Sequence, residues 1–109
     1  MVFDMSKKQI FDELINILAV SLRHKIGSIV NEDEIYAERY AKDAEILFKQ
    51  AEKVKEQCNW NYNDKLEVKE NLKKKLTDEL KKRDFISEEK YDYIESEIET
   101  ALRSLKLDI

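Results

Sequence analysis

The chain has 109 residues, of which 40% are charged and 42% hydrophobic, with one Gly, one Cys, one His and no Pro. That composition excludes collagen, disulfide scaffolds, zinc fingers and glycine-loop nucleotide sites, each of which needs residues missing here. The formal net charge of −4 suits solubility and argues against a dedicated nucleic-acid binder, which carries a basic surplus.

The length supports one helical domain over 1–109, with a core of its own. Lone Cys58 has no partner for an internal disulfide, so a reducing cytoplasm is expected. The apolar run 14–22 follows Asp12 and Glu13 and is interrupted by Asn16 and Ser21. It is too short to cross a bilayer and lacks the basic lead of a signal peptide, so no membrane role is expected. The abundance of Lys and Glu over Gln resembles the composition of a thermophile or of an AT-rich genome.

Four segments repeat their apolar residues at helical spacing, and none alternates as a strand would. The first is expected over about 6–26. Ser6 and Gln9 have the spacing of a capping box. Arg23, His24 and Lys25 fall in the expected last turn, and Gly27 follows as the expected cap. Ile10, Phe11, Leu14, Ile15, Ile17, Leu18, Leu22 and Ile26 cover about half the helix circumference, more than one neighbour can bury. The second helix is expected over about 31–58, capped by Asn31. Tyr36, Tyr40, Ala44, Leu47, Ala51, Val54 and Cys58 share one side, and Ala37, Ala41, Ala44 and Ala51 would let another helix approach closely. Ile35 and Ile46 lie off that stripe.

The Asn-rich stretch 59–63 reads as a loop, because Asn competes with helical hydrogen bonding. A third helix is expected over about 64–83, with Asp64 and Glu67 as its cap pair and Leu66, Val68, Leu72, Leu76 and Leu80 as its apolar set. Basic residues outnumber acidic ones along it. A fourth is expected over about 87–106, capped by Ser87, with Phe85 stapled onto Tyr91 and Ile94, Ile98, Ala101, Leu102 and Leu105 forming a narrow stripe. Its excess of acids makes it the electrostatic opposite of the third. Short connections favour antiparallel neighbours. The expected architecture is an all-α, four-helix antiparallel up-down bundle. The alternative is a set of elongated helical hairpins dimerising through the first two helices.

Residues that carry chemistry are scarce. A di-metal bundle needs two Glu-x-x-His motifs, and His24 is the only histidine. Cys58 would need His24 as its base, and the two fall toward opposite ends of the expected bundle. No catalytic, cofactor-binding or metal residue is expected, and no cofactor. The expected function is protein–protein association, as a homodimer or as a subunit of a complex, with Ile17, Ile35 and Ile46 as candidate partner-binding residues. The alternative is a nucleic-acid-associated protein. It would use Trp60 and Tyr62 as stacking surfaces and Lys69, Lys73, Lys74, Lys81, Lys82 and Arg83 as phosphate contacts.

Overall fold

The computed structural model describes residues 6–30, 34–83 and 92–108, and all regular structure within them is helical. The described residues form four helices: α1 (Lys7–Val30), α2 (Glu34–Lys55), α3 (Tyr62–Arg83) and α4 (Asp92–Ser104). The expected caps at Asn31 and Ser87 and the Phe85–Tyr91 staple lie outside the described residues, as do the side chains of Ile35, Tyr36 and Arg83.

The start of α1 follows the capping-box rule. The Ser6 backbone N–H donates to Gln9 Oε1 at 2.9 Å, and the Gln9 N–H donates to Ser6 Oγ at 3.2 Å. The end of α1 does not follow the glycine rule. Gly27 was expected to stop the helix, yet the helix runs on to Val30 and no glycine takes a positive φ. Gly27 is buried inside α1. An interior glycine costs about 1 kcal/mol relative to Ala, and tertiary packing outweighs a penalty of that size.

The loop before α3 also shifts a boundary. The expected cap pair Asp64/Glu67 lies one turn too late, because Asn61 is the cap. Its Oδ1 accepts from the Asp64 N–H at 2.8 Å, and Asp64 Oδ2 accepts from the Asn61 N–H at 3.1 Å. This reciprocal pair satisfies two backbone donors at the start of α3 and starts the helix at Tyr62. At the other side of the loop α2 ends at Lys55, before the expected 58. Trp60 closes that end, donating its Nε1 to the Lys55 carbonyl at 2.7 Å.

The far end of α4 carries a stop signal invisible in composition. The Leu107 N–H reaches the Leu102 carbonyl at 2.8 Å, the Lys106 N–H reaches the Arg103 carbonyl at 3.1 Å, and Lys106 sits at φ 59°. This is a Schellman motif with lysine where glycine is usual. Leu102 and Leu107, the apolar pair of that motif, are each 1% exposed.

Packing is organised around α1. It packs against α2, α3 and α4, whereas among the described helices the backbone of α2 comes close to α1 alone. Three consecutive residues of α1 register this arrangement, since successive side chains point about 100° apart. Arg23 pairs with Glu79 of α3 at 3.0 Å. The ring of His24 meets that of Tyr40 on α2 edge to face, with centroids 5.7 Å apart. Lys25 pairs with Glu97 of α4 at 2.5 Å.

The core follows from the same layout. Leu14, Leu18, Ala19 and Ile26 of α1 are 0% exposed, as are Ala51 of α2 and Val68, Leu72, Leu76 and Leu80 of α3. Ile94, Ile98, Ala101 and Leu102 close it from α4. Complete burial of each large aliphatic side chain stabilises the fold by roughly 1.5–3 kcal/mol before conformational entropy is subtracted. Leu66, expected in the core, is exposed, because it lies well round the helix from the Val68–Leu80 seam. The longest dimension is 43 Å, little more than the roughly 36 Å of a 24-residue helix.

Candidate interaction surface

The missing contact between α2 and α4 leaves a groove floored by α1. Its volume is about 390 Å³. Ala41, Ala44 and Phe48 form one wall, Thr100, Ala101 and Ser104 the other, and Ser21, Leu22 and Ser28 the floor. Lys25 and Glu45 also line it, and three of its hydroxyls donate to backbone carbonyls within the chain. Ser21 donates to the Ala44 carbonyl at 2.7 Å, Ser28 to the Lys25 carbonyl at 2.6 Å and Thr100 to the Ser96 carbonyl at 2.9 Å. What remains facing outward is small and largely apolar. A second, more polar depression continues between α2 and α4, sharing Ser104 with the first and bounded by Glu52, Lys55, Glu56 and Lys106. The alanine spacing of the second helix signalled half of this groove. The other half is a run of small residues in α4 that has no signature of its own.

The candidate partner-binding residues divide. Ile17 is half-buried and packs against the core, so α1's wide stripe is met by neighbours within the chain. Ile46, on α2, is 52% exposed. The side chain of Ile35 lies outside the described residues.

The candidate nucleic-acid residues divide more sharply. Lys69 and Lys73 reach across to α4, pairing with Glu99 at 2.5 Å and Glu95 at 3.5 Å. The expected attraction between the basic third helix and the acidic fourth is thus realised in contacts between them. Lys69's ammonium is held protonated to higher pH by its bond with Glu99, and the same bond pulls the Glu99 carboxyl below the usual range. Lys74, Lys81 and Lys82 are exposed. Lys74 points about 100° round the helix from Lys73. Lys74 and Lys82 share their stretch of surface with Asp78 and Glu79.

Trp60 is a plug, not a free platform. It is half-buried against the core, its ring centroid lies 4.8 Å from that of Phe11, and its N–H is committed to Lys55. Tyr62 is 62% exposed, but about 30 Å of helix separates it from Lys82. Arg83's side chain lies outside the described residues.

No nucleophile–base pair forms between Cys58 and His24. Cys58 is half-buried at the Lys7–Asp64 end, where burial pushes its thiol up and so disfavours the thiolate. His24 is about 25 Å further along α1 than Lys7, with its Nδ1 donating to the Val20 carbonyl at 2.8 Å. Among the described residues no group of His, Cys, Asp and Glu is placed to hold a metal ion. No described helix is long and apolar enough to cross a membrane. Comparison of the chain with protein-family models, with curated proteins and with solved structures gives no match.

Proposed function

We propose that this chain is a non-enzymatic helical protein of the cytoplasm that works by association, as a homodimer or as a subunit of a complex. The proposed architecture is an antiparallel up-down bundle left open between its second and fourth helices, with the partner packing along the opening. Pairings that favour it are Ser21 with Ala44 and His24 with Tyr40 between α1 and α2, and Lys69 with Glu99 and Lys73 with Glu95 between α3 and α4, where numbers rise on one helix as they fall on the other; Lys7 with Asp64 and Arg23 with Glu79, between α1 and α3, rise together. The observation that carries the functional reading is the one-sided packing of α2. Among the described helices its backbone comes close to α1 alone, and it borders the open groove while exposing Ile46. Small apolar residues flanking a groove suit a closely packed helix from another chain.

Light scattering over a concentration series tests this. The expected result is a mass above the 13.0 kDa of one chain, reduced to one chain's mass by Ala41→Glu or Ile46→Glu with unchanged helical circular dichroism. A chain that stays monomeric at high micromolar concentration and binds no hydrophobic dye overturns the reading. The nucleic-acid alternative rests on Lys74, Lys81 and Lys82, since Lys69 and Lys73 are paired and Trp60 is buried against Phe11.

A further inference from the structure

Most cations that meet another helix in this molecule meet an acid there. Lys7, Arg23, Lys25, Lys69 and Lys73 each pair with a carboxylate on a different helix. One group of lysines is different. Lys55 at the end of α2, Lys65 in the first turns of α3 and Lys106 in the C-terminal turn line a single depression of about 360 Å³ at one end of the molecule. Among the described residues none of the three has a carboxylate partner within ion-pair distance. One acid, Glu56, borders the depression with them.

Two of these lysines stand at helix C-termini, where a cation can serve simply by bonding the last carbonyls. Several of those carbonyls are already taken. Trp60 Nε1 occupies the Lys55 carbonyl, and backbone N–H groups occupy those of Glu52, Val54, Leu102 and Arg103. The ammonium groups are therefore not what holds these carbonyls. Lys55 and Lys65 are also half-buried, so their stems are held against the molecule while their charged ends remain available.

We propose that this depression binds a di- or triphosphate group. Three cations drawn from three chain segments match a ligand carrying several negative charges on adjacent oxygens. A single monovalent anion would gain too little from partly exposed lysines to compete with water. Trp60 lines the same depression, so a ligand held by these lysines lies beside its ring. The inference does not rest on the association reading: the depression shares no residue with the groove floored by α1, although it shares Lys55, Glu56 and Lys106 with the polar depression that continues that groove.

Trp60 is the only tryptophan and lines this depression, so its fluorescence can report binding there. The experiment titrates the full chain with inorganic tripolyphosphate and, separately, with ATP, at low and at physiological ionic strength. Saturable change in Trp60 emission with either is expected, weakening as salt rises. Tighter binding of ATP assigns the site to nucleotides, and equal binding assigns it to the phosphates alone. Lys106→Gly and Lys65→Gln are each expected to weaken binding about 3- to 10-fold, and together more. Lys106→Gly removes a charge at a backbone position that favours glycine, so loss of binding in that variant is not loss of fold. No saturable change at low salt overturns the proposal. So does a double variant that binds as the native chain does, or a response that sodium sulfate reproduces at equal ionic strength.

Discussion

Lys106 is held at φ 59°, a conformation that costs a residue with a Cβ roughly 1–2 kcal/mol and glycine much less. Lys106→Gly is therefore expected to raise stability by about 0.5–1 kcal/mol, after the extra freedom of glycine in the unfolded chain is counted. A urea unfolding midpoint that moves up with an unchanged slope checks it. The Asn61 cap has the opposite expectation. Asn61→Ala removes the acceptor at 2.8 Å from the Asp64 N–H and should cost about 1 kcal/mol in the same assay. These two sites also mark the limit of what residue types reveal. Ser6 and Gln9 were legible because one polar pair preceded one apolar run. Before α3, three asparagines and two acids offered competing registers, and only the backbone geometry selects Asn61. At the C-terminal turn a lysine stands where glycine would have announced the stop, and the core residue Leu107 beyond it went unread.

The helices differ in how much each leans on its neighbours. α1 is surrounded by α2, α3 and α4, so a cavity made in it disturbs three interfaces at once. Leu18→Ala, at a position 0% exposed, is expected to cost about 2–5 kcal/mol. Leu66→Ala on α3, at 36% exposure, should cost under about 1 kcal/mol. Paired denaturation curves separate the two. The breadth of α1's apolar stripe was readable as a demand for several neighbours, and Ile17 shows the demand met within the chain. Which neighbours supplied it was not readable. Periodicity fixes the face a helix buries, but it does not say that α2 would touch α1 and leave α4 across a gap. The exposure of Ile46 was legible in its place off the stripe, whereas the groove depends on two distant runs of small residues being brought opposite one another.

Across the whole molecule, charge pairs tie the helices together at their margins. The Lys7 ammonium beside Asp64, reinforced by the Asn61 N–H, holds the Asp64 carboxyl below the usual carboxylate range, and Lys69 does the same for Glu99. Both groups are more acidic folded than unfolded. Their contribution is complete above the unfolded values, near pH 4, and is lost as pH falls through the lower folded values. Lys7 and Lys69 are shifted upward, so their contribution fades as pH climbs beyond the ordinary lysine range. Thermal melts from pH 6 to pH 2 should show declining stability, with a shallower decline in an Asp64→Asn, Glu99→Gln double variant and in high salt, which screens such exposed pairs.

The order of helices along the chain adds a demand outside equilibrium. α1, which all the others cover, precedes them in sequence, so a ribosome delivers it before any of its covers exists. At the usual pace of synthesis several seconds pass before α4 is made. Throughout that interval a segment rich in leucine and isoleucine stands without its permanent shelter. The newborn chain, far more than the finished one, is the form that a chaperone has reason to hold.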